Sequence, residues 1–581
     1  MQLVRRLHLP AIVCALAVLL CELIARPYVN MGISDDGPYI LMAQHLATTG
    51  HIAYNGWGAP MLTGQLYLAT TFIKLFGFSF TAVRGCTVLI AAVMAFILQR
   101  TLVHASINER NATFGTLALV LSPLYLMLSA TFMTDIFGLF AIVICLYGCL
   151  RAIAATTSRA TIAWLCVAVI TNAFFGTSRQ IAWLGILVMV PSTLWLLRTQ
   201  PRGLPTQRRV LLAGAVINLA GVLFVFACVE WLKRQPYTIP EHVLPSTFPI
   251  AHTFTQLFHL FLDVPFLLLP IVAVFLPEIR KSRPRVIAIV SAAFLTYLFA
   301  AILTRHNHLF FRLEPTQGDW VTVYGVSDVV ASMGNPPIFL HVGSETLLTI
   351  ASLGGLLALI ASLLRNRRVP SPARPNAGIS WKQLAILLAP FTLAYTLLLI
   401  PRATTFDGVY DRYLLGLLVI TLLCVVRYYQ ERIHPRLPIA TSFLIAIMAV
   451  YGISVTHNMF SLYRARVDLA GELHAAGISD TSIDNGWEYN LDVELQHADH
   501  INFPTIVVPV GGYAPTPPTP AGNCAMFFSD YTPHIHPLYG ISFNPNTCYG
   551  LAPFAPVHYS RWLAGRPGAL YVVRYTPSTR P

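Results

Sequence analysis

Along the chain, apolar runs of about 17–25 residues alternate with polar connections, the length that carries an α-helix across roughly 30 Å of hydrocarbon. The runs fall at about 9–26, 81–102, 112–128, 134–151, 161–176, 180–198, 209–232, 254–277, 286–304, 343–364, 382–400, 411–428 and 437–455. The pattern predicts an all-α polytopic transmembrane bundle of about 13 helices. An odd number of crossings puts the two ends of the chain on opposite sides. The pairs at 112–151 and 161–198 could instead be broken or re-entrant. The first run follows Arg5 and Arg6, as a signal peptide would. It carries Glu22, lacks a small-residue cleavage site and leads straight into an acidic segment, so it reads as a retained helix.

Polar sequence is concentrated on one side. The first such loop, about 27–80, opens with Ser34-Asp35-Asp36-Gly37-Pro38-Tyr39. Pro38 suits the first turn of a helix, where its missing N–H would be unpaired anyway. Tyr39, Ile40, Met42, Ala43, Leu46 and Ala47 then give one apolar face beside Gln44 and His45. This predicts a helix lying in the interface, with a second around Leu66–Phe76. Further loops on that side run about 233–253 and 305–342, the latter with His306, His308, Asp319, Trp320 and Tyr324. From about 456 a tail mixes strand-like runs (Thr505-Ile506-Val507-Val508 and Ala569-Leu570-Tyr571-Val572-Val573) with a Pro/Thr stretch at 515–520. The expected division is a transmembrane domain over 1–455 and a small C-terminal α/β outer domain over 456–581.

Charge fixes the orientation. The 581 residues carry 38 Lys and Arg against 25 Asp and Glu, a net +13. The basic residues cluster in short alternate loops, such as Arg198/Arg202/Arg208/Arg209, Arg280/Lys281/Arg283/Arg285, Arg365/Arg367/Arg368/Arg374 and Arg427/Arg432/Arg436. That is the positive-inside asymmetry, and it puts the N-terminus in the cytoplasm and the tail outside. The surplus is therefore a topology signal, and no nucleic-acid partner is expected. Eight of the ten cysteines fall in apolar spans; Cys524 and Cys548 lie in the tail, where one disulfide is expected.

Ionisable residues at membrane depth are costly unless they act or face water. On the outer side the candidates are Asp35, Asp36, Asp135, Arg179, Glu230, Asp263, Asp407, Asp411 and Arg412. Asp135 shares the topological depth of Asp35, so the two could line one crevice; alternatively Asp135 N-caps its helix. Arg179 and Arg412 could each fork onto a phosphate, or pair with a nearby carboxylate such as Asp411. Asp263 reads as a satisfied polar residue, with Glu22 and Glu230 weaker cases of the same kind. His306/His308, His497/His500 and His534/His536 lack a fuller ligand set, so no metal site is assigned. No nucleotide-binding loop or nucleophile elbow is present.

The stretch from Asp35-Asp36-Gly37-Pro38-Tyr39 through Gln44-His45-Leu46 and Gly50 to Leu75-Phe76-Gly77-Phe78-Ser79 and Ala82-Val83-Arg84 resembles the GT-C type polytopic membrane glycosyltransferases. Within them it is most similar to family 39, the protein mannosyltransferases and aminoarabinose transferases. Met133-Thr134-Asp135 looks like that family's second acidic position, Ser178-Arg179-Gln180 like its basic residue at a later span, and Arg412-Tyr413 like its late Arg-Tyr pair. Asp36 stands where the family usually has Glu, and the usual Lys-Pro-Pro-Leu-like segment is replaced by Gly58-Ala59-Pro60-Met61-Leu62. The resemblance implies inverting transfer of a sugar from a polyprenyl-phosphate donor to a glycan, lipid or protein acceptor on the outer face, in a bacterial inner membrane. It implies Asp35 as general base, with Asp135 or Asp36 orienting the acceptor. Arg179 and Arg412 would stabilise the leaving phosphate, with Tyr39 and Tyr413 as substrate-binding neighbours. A divalent cation is possible but not required, because arginine could do that work. The rival reading is a transporter or flippase of a lipid-linked glycan, which would place charges at mid-span.

Overall fold

The computed structural model describes residues 2–58, 60–199, 204–239, 248–282, 284–304, 310–318, 320–326, 333–366, 378–405, 408–506, 508–513, 524 and 526–576. Asp407, His306, His308, Asp319 and the 515–520 stretch fall outside them. The chain opens with α1 (Gln2–Ala25), then two short surface helices, α2 (Asp36–Thr49) and α3 (Thr63–Phe76), then α4 (Phe80–His104). Next come α5 (Glu109–Val120), α6 (Pro123–Ser129), α7 (Thr134–Ala154), α8 (Ser158–Gly176), α9 (Val190–Thr199) and α10 (Leu204–Leu232). The second half holds α11 (Ile250–Leu267), α12 (Leu269–Val272), α13 (Pro284–Thr304), α14 (Val342–Asn366), α15 (Trp381–Ala403), α16 (Leu415–Arg432) and α17 (Ala440–Ala475). A last helix, α18 (Trp487–Ala498), belongs to the tail.

Among the described residues, 11 helices are long and apolar enough to cross a membrane, or up to 13 if two bent pairs are each one span. One bent pair, α5 with α6, turns by 69° at Ser122-Pro123. Ser122 caps the new helix through the Tyr125 N–H, and Pro123 occupies its first turn. The other, α11 with the helical segment Leu269–Lys281, bends by 70° between Pro265 and Pro270. The span that begins at Gln180 starts as a 3-10 turn and a π turn (Gly185–Met189). Asn172 fills that break, donating to the carbonyls of Ala141 and Ala182 and accepting the Ile186 N–H.

The two surface helices stand where the sequence pattern predicts. α2 ends at Gly50, left-handed at φ 79°, which returns its N–H to the Leu46 carbonyl. Ser79 caps α4 through the Ala82 N–H. The last span differs from its expected limits. α17 runs on to Ala475, so a boundary at 456 falls inside a helix. Its extension is held by tail contacts: Arg466, buried, donates to Glu488 Oε2 at 3.0 Å.

The tail is an α/β unit. A four-stranded sheet has the order β3 (Ile483–Asp484), β4 (Tyr539–Ser542), β6 (Gly568–Arg574) and β5 (Val557–Tyr559), while β1 (Val321–Thr322) and β2 (Gly325–Val326) form a hairpin in the earlier loop. β3 pairs with β4 in parallel and the other neighbours are antiparallel, with Ile541 opposite Val572. The predicted 569–573 strand is β6. Of the predicted 505–508 strand, Val507 lies outside the described residues, and the other three are not in a strand: Thr505 is in a turn and Val508 in a bend. The Val508 carbonyl is instead taken by the Tyr237 N–H at 2.7 Å, outside any ladder. Cys524 and Cys548 are bridged, with Cα atoms 5.0 Å apart.

Candidate active site

Asp35 occupies the N-cap position of α2 but spends no side-chain bond on capping. Its Oδ1 accepts the indole N–H of Trp57 at 3.2 Å, and its Oδ2 faces Arg412 Nη2 at 3.5 Å. The side chain is 22% exposed. Burial pushes its carboxyl above the ordinary carboxylate range; the Arg412 charge and the Trp57 bond pull it back down, and the Asp135 charge raises it again. Tyr39, one turn on, is buried, and burial together with the Asp35 charge keeps its phenol protonated.

Asp135 and Arg179 come near Asp35 from two other elements, and the Asp135 charge acts on the Asp35 carboxyl. Asp135 sits in the first turn of α7, whose N-cap is Met133 with no side-chain bond, so the capping alternative is not realised. It pairs with Arg179 Nη1 through Oδ1, while its buried Oδ2 has no partner among the described residues. Gly138, one turn further along α7, makes room for that arginine. A Cβ there would stand 2.9 Å from Arg179 Cβ. The Arg179 guanidinium lies 4.6 Å from the Tyr413 ring, and Arg412 lies 5.7 Å from the same ring. Arg412 is further enclosed by Tyr410 at 4.8 Å and Trp320 at 5.7 Å. Stacking of this kind pre-orders a guanidinium while leaving its N–H groups directed outward.

Arg412 does not pair with its neighbour Asp411, as adjacency suggested. Asp411 is buried and accepts the backbone N–H groups of Trp320, Val321 and Arg412. It ties the 320–321 segment to the start of the α16 span, which turns Arg412 towards Asp35.

Asp36 is set apart from these groups. Expected among the catalytic groups, it is fully buried in an ion pair with Arg84, whose Nε donates to Oδ2 at 2.8 Å and whose Nη2 donates to Oδ1 at 2.9 Å. The Ile33 N–H donates to Oδ1 at 2.7 Å and the Phe132 N–H to Oδ2 at 3.0 Å. Gln65 Nε2 donates to the Phe132 carbonyl at 2.7 Å, so the Phe132 backbone is held at both its N–H and its carbonyl. Asp36 thereby fixes the turn bearing Asp35 and the turn bearing Asp135 in one frame. Arg84, a charge one turn into an apolar span, was the sequence signal that a buried carboxylate needed a partner. Trp57 carried no such signal.

The remaining candidates have settled partners. Asp263 accepts from the Thr316 N–H and hydroxyl at 2.8 Å and is a satisfied polar residue. Glu22 accepts from Ser129 at 2.6 Å, and exposed Glu230 pairs with Lys233. His500 stacks on Tyr237 and His534 pairs with Glu494. Among the described residues no three His, Cys, Asp or Glu side chains gather as a metal would require. Asp35 and Asp135 are each faced by an arginine, so this donor set does not fit a divalent cation and no step is derived through one.

Residues 60–231 match the family described as dolichyl-phosphate-mannose-protein mannosyltransferase. No curated protein matches the chain. Among solved structures, ArnT from Cupriavidus metallidurans bound to undecaprenyl phosphate is 14% identical, with 96% of each chain covered and a TM-score of 0.42. The S. cerevisiae Pmt1-Pmt2 complex bound to the sugar donor is 12% identical at a TM-score of 0.31, over 38% of this chain and 33% of that one. This chain thus spans about a third of the yeast chain it matches. The Archaeoglobus fulgidus oligosaccharyltransferase is 15% identical at a TM-score of 0.31, over 81% of this chain and 52% of that one.

Proposed function

We propose that this chain, whose family match and membrane-spanning helices are those of a GT-C type glycosyltransferase, transfers a sugar from a polyprenyl-phosphate donor to an acceptor hydroxyl. Transfer takes place on the outer face and inverts the anomeric centre. Asp35 takes the acceptor proton as that oxygen attacks the anomeric carbon. The bond from this carbon to the phosphate oxygen breaks, and the phosphate leaves with the electron pair. Arg412 and Arg179 meet the charge that develops there, and Asp135, through its Oδ2, orients the acceptor. Asp36 holds the frame and takes no part in the chemistry.

One observation carries this reading: a partly open carboxylate, free of capping duty, stands 3.5 Å from a guanidinium enclosed by aromatic rings. A base beside a phosphate-stabilising cation is what this transfer needs. The groups that converge lie at helix ends and in loops rather than at mid-span, which favours an enzyme over a glycan transporter. The basic-loop asymmetry supports the orientation with the 456–581 region outside, and the family resemblance supports a bacterial inner membrane.

The test uses membranes carrying the full chain, labelled polyprenyl-phosphate sugars and a panel of lipid, glycan and peptide acceptors. Asp35→Asn is expected to lower transfer by about 10³-fold while the protein stays folded. Undiminished transfer would remove Asp35 as base, and no transfer by the wild type from any donor would remove the reaction class.

A further inference from the structure

Helix α18 crosses the first outer loop from the far end of the chain, and two of its side chains meet that loop on either side of Asp35. Trp487 is buried and packs against Trp57 with ring centroids 5.4 Å apart. Trp57 is the residue whose indole N–H holds Asp35 Oδ1. Five residues later, Asp492 Oδ2 accepts the Gly32 N–H at 3.3 Å. Its Oδ1 lies 2.8 Å from where a Cβ on Gly37 would stand. The two glycines nearly touch, since a Cβ on Gly32 would be 2.9 Å from Gly37 Cα. The turn from Gly32 to Gly37 is therefore closed on itself, with Asp492 set against its glycine side.

The adjoining tail segment strengthens the contact. The Ile501 N–H donates to the Asn55 carbonyl at 2.8 Å, and the Asn55 amide donates to the Pro38 carbonyl at 2.9 Å. Behind α18, Glu488 accepts from Arg466 and Tyr463 of α17, and Glu494 from the His534 ring. A continuous packed path thus runs from the last long helix through α18 to the loop that carries Asp35.

We infer that α18 sets the position of the base, with Trp487 and Asp492 as positioning residues, so that the tail is an integral part of the catalytic unit. The inference rests on the reading of Asp35 as base. Two features argue for this over simple packing. Asp492 Oδ1 is buried with no partner among the described residues, which costs stability and gives nothing back as packing. Among the described residues Asp35 is held by a 3.2 Å bond to Trp57 and a 3.5 Å contact with Arg412, so its placement depends on what backs Trp57 and the glycine turn.

The experiment compares Trp487→Ala and Asp492→Ala with the conservative Trp487→Phe and Asp492→Asn in the full-length chain. Amide hydrogen exchange of the segment around residues 29–40 is read beside kcat and KM. Both alanine variants are expected to exchange faster there, with the membrane spans unchanged. Their kcat should fall by about tenfold to a hundredfold, the scale of a ~1 Å misplacement, while KM moves by no more than about threefold. Phe at 487 keeps a ring against Trp57 and Asn at 492 keeps an acceptor for Gly32, so both should recover most of the loss. Wild-type loop exchange and kcat in both alanine variants would overturn the inference. So would faster exchange spread evenly over the chain, which marks a merely structural role. If the wild type transfers from no donor, the catalytic reading falls by itself, and loop exchange still decides whether α18 holds the turn.

Discussion

Asp36 receives N–H groups from Ile33, Phe132 and both arms of the Arg84 fork at 2.7–3.0 Å, whereas Asp35 beside it receives one indole N–H at 3.2 Å and faces a guanidinium at 3.5 Å. Asp36 is closed to water and Asp35 is 22% exposed. Two adjacent, chemically identical side chains therefore stand in opposite environments. A carboxylate with every lone pair occupied is a structural node, and removing it breaks several contacts together. A carboxylate with capacity to spare can take a proton. The same contrast separates Arg84, which is spent on Asp36 and the carbonyls of Val29 and Met31, from Arg412, which is held by aromatic faces.

The sharpest test exchanges the two acids. Asp35→Asn should lower kcat by about 10³-fold, within the range for losing a positioned base, and leave thermal unfolding unchanged. Asp36→Asn should do the reverse, lowering the unfolding temperature first. Next in size is Arg84→Ala, which leaves the Asp36 charge buried and unpaired. It should cost about 3–5 kcal/mol in denaturant unfolding, part of which returns in the Arg84→Ala, Asp36→Ala double variant. Equal destabilisation by Asp35→Asn and Asp36→Asn would erase the distinction.

Gly138→Ala probes the second carboxylate without touching it. The new Cβ meets Arg179 Cβ at 2.9 Å and must displace that arginine from Asp135. A fall in kcat of about tenfold is expected, with donor KM also raised; wild-type kinetics would show that Arg179 has freedom to spare. The smallest effect is a displacement of the pH profile. A base acts only when deprotonated, and burial raises Asp35 above the ordinary carboxylate range. The rate should therefore be lost as pH falls through a midpoint above that range. Arg412 lowers this midpoint, so in Arg412→Ala the surviving activity should show its acidic limb at higher pH. A limb that does not move would separate Arg412 from Asp35.

The sequence by itself determined the order of the long apolar helices, the two short helices after the acidic turn and the likeness to a glycosyltransferase family. These are local properties: apolar run length, helical period and loop charge act within a few tens of residues. It also picked out Asp35, Asp135, Arg179 and Arg412, because charged residues at the ends of apolar runs stand out wherever the chain folds. Tertiary structure decided what each of them contacts. Asp36 is closed by Arg84, 48 residues away; Arg412 turns to Asp35 and away from Asp411; and Asp492 reaches Gly32 across 460 residues. Each outcome depends on which donors desolvate a carboxylate and which leave it open, and that balance is set by elements brought together only when the bundle and its tail pack.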